Sequence, residues 1–329
     1  MRTLLFMLAS GVMMSGQSGA PIVADPVCRP SLVSSAVGGP QVVDAAFVPH
    51  VSQPAFALGQ GYRVLLDEGH QNVHTLDGSY APFAKVLRDD GFVVEANRQS
   101  LSAAVLSTAK ILVISNAGGR RGPNQDGTFI PSTSVFLADE VEAVRQWVFR
   151  GGSLFLIVDH LPNSGGSAAL ARAFGILLND GYAVDATCST GQFLFARSDG
   201  SLAEHPITRG RRKSERVDHV RTFTGTAFRA LVPVSPILVL APGAVMLMPS
   251  VPWQFTSATP RFPGDAMLQG AVLRHGRGRV AVFGEAAMFS AQVTGAQRRP
   301  MGMNADTADQ NEQFLINVTH WLAGLLPDR

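Results

Sequence analysis

Cysteine is scarce in this chain: Cys28 and Cys188 are the only two in 329 residues. That count excludes a disulfide-rich scaffold. It leaves two readings open, one bridge tying an N-terminal segment to the body or two separate buried thiols. Net charge is also low, at +2, and short basic runs stand at Arg209–Lys213 and Arg298-Arg299. Neither run is interleaved with aromatic residues, so no nucleic-acid surface is expected. Beyond the first twenty residues no apolar run reaches membrane-span length, since Ile237–Met248 is broken by Pro242 and Gly243. Signature motifs are missing as well. No HExxH occurs, Ser164 and Ser167 sit in no GxSxG elbow, and Ser290 has no adjacent base. Gly276-Arg277-Gly278-Arg279 lacks the strand-before, helix-after context of a phosphate loop and reads as a hairpin turn.

What is present is a well-cored α/β pattern, with 46% hydrophobic residues. Residues 1–20 read as a signal peptide, with Arg2 as the basic region, Leu4–Met14 as the apolar region and Ser18-Gly19-Ala20 as the cleavage site. The expectation is an exported protein, periplasmic or extracellular, with no integral membrane segment once the signal is removed. Residues 21–60, rich in Pro, Gly and Ser, read as an extended arm. From 61 to 326 strands and helices alternate. Strands are expected at 64–66, 92–95, 111–115, 154–158 and 279–283, and helices at 80–90, 138–150, 167–178 and 310–325, with a helical turn at 101–106. Residues 120–134 form a polar loop, and about 181–269 reads as a β-rich insertion. Such alternation implies a doubly wound parallel sheet with helices on both faces.

In a sheet of this kind the strand C-termini share one edge, where ligands bind. Three strands end there in ionisable groups: Asp67, Glu68 and His70 after the first, Asp159 and His160 after the fourth, and Glu285 after the last. These six are the candidate catalytic residues. Asn72, His74, Asn116, Gly118 and Gly119, on the same exits, are candidate ligand-binding residues. Two chemistries suit the set. A divalent metal held by Asp and His can supply a nucleophilic water, with Glu68 or Glu285 as base, or a His–carboxylate pair can act as acid and base without metal. The competing structural reading is that Asp159 caps its loop, His160 packs under Pro162 and Glu285 binds nearby backbone N–H groups. Asn317-Val318-Thr319 fits the glycosylation pattern but falls inside an expected helix.

VLLDEGHQNVHT, GGSLFLIVDHLP, HPIT followed by VRTFTG, and GRGRVAVFGEAAMFSAQ with NEQFLINVTHWL resemble a bacterial DUF4350-type family with a class I glutamine amidotransferase-like domain. The resemblance spans residues 46–325 and implies a flavodoxin-like sheet. In active amidotransferases a Gly-rich turn forms the oxyanion hole, a Cys sits at the elbow after the next strand, and a His with a Glu follows a late strand. Here residues 116–119 match the turn and 154–160 the elbow strand, but the elbow carries Asp159-His160. The late strand offers Glu285 without a His. The resemblance therefore implies no glutamine hydrolysis through a thioester. Two functions remain: an exported protein holding a small polar ligand, a glycan or a partner in the crevice, or a metal-assisted hydrolase built on Asp67, His70, Asp159, His160 and Glu285.

Overall fold

The computed structural model describes residues 41–130, 133–188 and 191–328. Its main sheet has seven strands: β1 (Arg63–Asp67), β2 (Val93–Asn97), β3 (Ile111–Ser115), β4 (Ser153–Ile157), β5 (Ser235–Val239), β6 (Leu268–His275) and β7 (Gly278–Phe283). The order is β5-β6-β7-β4-β3-β1-β2. β2, β1, β3, β4 and β7 run parallel, which is the flavodoxin-like order with β7 as its fifth strand. β6 pairs antiparallel with β7 through the two-residue turn Gly276-Arg277, and β5 extends that edge. The segment read as an insertion thus lends an edge strand to the sheet. It also builds a small antiparallel sheet from Tyr182–Val184, Val245–Leu247 and Arg261–Pro263.

Period-two side-chain alternation divides the core. Val64, Leu66, Phe155, Ile157 and Phe283 face one side, against helices α1 (Ala81–Asp89) and α5 (Asn311–Ala323). Leu65, Leu112, Ile114, Leu154, Leu156 and Val282 face the other, against α2 (Ala103–Leu106), α3 (Ala138–Phe149) and α4 (Ala168–Ala173). Burying each of these large side chains is worth about 1.5–3 kcal/mol. α1 shows how sequence sets an element. Pro82 starts it, Phe83, Val86 and Leu87 form its buried stripe, and Gly91 at φ +92° ends it. There the N–H of Phe92 reaches Leu87 O and that of Gly91 reaches Arg88 O, satisfying the last carbonyls.

Several expectations shift. The helix expected at 167–178 stops at Ala173, because Gly175 at φ +76° turns the chain into the short strand Ile176–Leu177. Of the N-terminal arm, residues 41–60 are described. Val42 and Val43 pair with Val293 and Gln292, and Ala55 N–H reaches Asp90. Asn317 of the glycosylation pattern is fully buried in α5, where its amide clamps Ile207 O and Glu215 O. Cys188 is disulfide-bonded; Cys28 and the signal peptide lie outside the described residues. No helix among the described residues is long and apolar enough to cross a membrane.

Candidate functional site

β1 delivers Asp67 to the sheet edge, and the chain bends so that His70 folds back on it. Both Asp67 oxygens lie 2.9 Å from His70 Nδ1, while His70 Nε2 meets Glu140 Oε1 at 3.1 Å. Glu140 belongs to the first turn of α3, where it also accepts the N–H groups of Leu137 and Leu101. Burial alone would depress the His70 pKa, but the bonds and charges of Asp67 and then Glu140 raise it. For Glu140, burial would push upward, yet the two backbone donors and His70 hold it low. The three groups form a carboxyl–imidazole–carboxyl bridge, closed at the side by Phe136, whose ring lies 4.4 Å from that of His70. Glu68 points elsewhere, accepting Leu76 N–H and binding Arg98, and so anchors the loop after β1.

A second network sits over β3, β4 and β7. Asn116 follows β3 at φ +48°, a left-handed conformation that Asn tolerates. Its amide lies 3.1 Å from His74 Nε2, and His74 Nδ1 contacts Ser79 Oγ. His74 stacks on Tyr80 at 4.4 Å, and burial with the nearby Arg120 charge lowers its pKa to about 3. Asp159 accepts the N–H groups of His160 (2.8 Å) and Ala286 (3.3 Å). Glu285 accepts those of Ala287 and Met288, each at 2.8 Å. Two carboxyls thus cap three successive N–H groups of one turn. Burial pushes the Asp159 pKa up to about 8, against the pull of its N–H donors and the Asn116 side chain. Burial and the neighbouring Asp159 push Glu285 well above the carboxylate range.

His160 donates its Nδ1–H to Leu161 O at 2.8 Å, leaving Nε2 as an acceptor 3.7 Å from Asp159 Oδ1. Its ring stacks on Tyr182 at 4.3 Å and meets the edge of Trp253 at 4.7 Å. Burial lowers its pKa to about 4. Both aromatics come from the region that follows α4, which therefore packs over the exit of β4.

The expected six catalytic residues do not form one cluster. Asp67 and His70 join Glu140; Asp159, His160 and Glu285 join His74, Asn116 and Tyr80; Glu68 serves the loop. Asn72 ties the two networks, accepting His70 N–H and donating to Ser115 O. Gly118 N–H is spent on His70 O and Gly119 N–H on Asn116 O, so neither amide is free for an oxyanion. Sequence reading missed Glu140, Ser79, Tyr80, Tyr182 and Trp253. Only Glu140 left a signal, an acidic residue in the first turn of a helix. Among the described residues no group of three or more His, Cys, Asp or Glu is placed to hold a metal ion. A cleft of about 590 Å³ lies away from this edge, lined by Arg197, Asp218, His219 and Asp309. Its charges pair with one another.

No family model matches the chain, and no curated protein is similar to it in sequence. Among solved structures, the N-terminal domain of mmIFT52 superposes with a TM-score of 0.54 at 15% identity, over 79% of this chain and 97% of that one. Looser likenesses are a cytoplasmic protein from Salmonella typhimurium (TM-score 0.47, 13% identity, 82% and 100% covered) and a ThuA-like protein from Bacteroides uniformis (0.44, 12%, 81% and 93%). Identities this low speak to fold alone. The sheet order itself is that of the flavodoxin-like arrangement.

Proposed function

We propose that this protein is an exported, amidotransferase-like binding protein that holds a small polar ligand or glycan at the strand-end crevice without amidotransferase chemistry. One observation carries the reading. Where a nucleophile would stand after β4, the chain places Asp159 and His160, with Asp159 buried beside Glu285 over a shared turn. Burial favours the uncharged forms of all three groups, which suit the hydroxyls and amides of a neutral ligand. Tyr182 and Trp253 add apolar ring surface beside them. Export is supported by the N-terminal signal pattern and by the disulfide at Cys188, a bond that persists in oxidising compartments.

A metal-assisted hydrolase has less behind it. Both His70 nitrogens are already engaged, and among the described residues no group of three or more His, Cys, Asp or Glu is placed to hold a metal ion. The test is a thermal-shift and calorimetric titration with glucose, mannose, galactose and sorbitol, alongside an ammonia-release assay with glutamine. Stabilisation by at least one sugar, lost in His160→Ala, with no ammonia released, is expected. Ammonia release, or indifference to all four probes, would overturn the reading.

A further inference from the structure

At the sheet edge opposite the strand exits, where β4 and β7 begin, three exposed apolar side chains stand close together. α3 ends there, and its last turn divides by helical angle: Trp147 and Val148 take the buried side, which leaves Phe149 52% exposed. The Gly276-Arg277 turn lies against that ring, since a Cβ on Gly276 would sit 2.5 Å from Phe149 Cδ2. The ring of His275 links Phe149, at 5.8 Å, to Phe174, at 5.2 Å. Next to Phe174, Gly175 packs on Val232, and its carbonyl accepts the N–H of Leu231 at 2.7 Å. Leu231 and Val232 are 63% and 40% exposed. Exposed hydrophobes scattered singly are ordinary, whereas a group that shares one floor of rings marks an interaction surface.

Arginines frame the group. Arg150 caps the end of α3, Arg277 forms the tip of the turn, Arg172 stands in the last turn of α4, and Arg229 lies two residues before Leu231. All four are exposed, and none of their guanidinium groups has an ion-pair or hydrogen-bond partner among the described residues. Further cations crowd behind them. Lys110 Nζ lies on Gly151 O beside Arg150, and Asp328 pairs with Arg274 and Arg279. Burial, and then the charges of Arg279 and Arg274, depress the Lys110 pKa. Helix dipoles account for Arg150 and Arg172, which sit at helix C-termini. They account neither for Arg277 and Arg229 nor for the bare apolar side chains between them.

We propose that this edge is a peripheral docking surface for an anionic phospholipid bilayer. Charge complementarity and apolar exposure select the partner together. A soluble polyanion would match the arginines but leave Phe149, Leu231 and Val232 in water, and an apolar protein face would strip the arginines of water without supplying counter-charge. An acidic bilayer offers both partners at their proper depths, with phosphates at the level of the guanidinium groups and acyl carbon beneath for the rings and branched side chains. The exits of the parallel strands, on the opposite edge of the sheet, then face away from the membrane.

Vesicle co-sedimentation of the intact protein tests the surface, comparing phosphatidylcholine vesicles with vesicles that carry about one-third phosphatidylglycerol. The wild type is expected to bind the acidic vesicles at least about ten-fold more tightly than the neutral ones at low salt, with the difference shrinking as salt rises. Arg150→Gln combined with Arg277→Gln should weaken that binding about 25-fold, or about five-fold per charge. Phe149→Ser should weaken it about ten-fold. Circular dichroism confirms that each variant is folded. No binding to acidic vesicles, equal binding to both kinds, or binding untouched by the paired arginine change in folded protein would overturn the proposal. Retention on heparin without vesicle binding would make the partner a soluble polyanion, and a dimer in gel filtration that Phe149→Ser dissolves would make it a second copy of the chain. Either result overturns the lipid assignment.

Discussion

Burying Asp159 as a neutral acid costs little near pH 4 and progressively more above it, because the unfolded chain ionises near 3.9 while the folded carboxyl holds its proton to about 8. In that window the folded state binds one more proton than the unfolded state. Stability must therefore fall as pH rises, by up to about 1.4 kcal/mol per pH unit from this group, with Glu285 acting in the same direction. Asp159→Asn keeps a neutral side chain of the same shape and removes the term. In urea unfolding at pH 5 and pH 8, the wild type should lose more stability between the two values than the variant. Equal losses would show that Asp159 is ionised throughout.

Among the elements, α3 depends most on a single side chain. Glu140 satisfies Leu137 N–H at the start of the helix and Leu101 N–H next to α2, and it pairs with His70. Glu140→Ala should cost about 3 kcal/mol in urea unfolding, since it leaves His70 short of a partner and two donors unsatisfied. Glu140→Gln, which still accepts from both N–H groups, should cost less. The turn after β4 is constrained by packing instead: a Cβ on Gly166 would lie 1.9 Å from Ala117 O, a backbone atom. Gly166→Ala is expected to lower the melting temperature through about 1–3 kcal/mol of strain. The contrast shows what the sequence could reveal. Strand runs and their polar exits were legible, because periodicity and crossover handedness place Cα atoms on one edge. The direction of each side chain was not. Asp67 and His70 turn toward α3, and the His70–Glu140 contact spans 70 residues of sequence.

Across the whole molecule, histidines and carboxyls set opposite slopes. Burial keeps His74, His160 and His205 neutral down to about 3, 4 and 4, whereas the unfolded chain protonates near 6.5. Their contribution is full above 6.5 and is lost as pH falls toward those values. His70 behaves oppositely: its raised pKa gives stability below 6.5 that fades as pH climbs through the folded value. Asp159 and Glu285 add to the loss on the alkaline side. The account predicts a melting-temperature maximum near pH 6.5, declining on both sides, and a scan from pH 4 to 9 checks it. The fold class, a flavodoxin-like parallel sheet, was readable from element order. The extra edge strand β5 was hidden, since its short Pro-containing run looked like the irregular segments around it.

The central claim is that a pair of buried, neutral carboxyls stands where an amidotransferase would carry its nucleophile. Carbon-13 NMR of side-chain carboxyls, with the signal assigned through Asp159→Asn and followed from pH 3 to pH 9, tests it most directly. The account predicts an Asp159 midpoint near 8, far above the ordinary value of 3.8. A midpoint near 4 would mean a charged crevice and would contradict it.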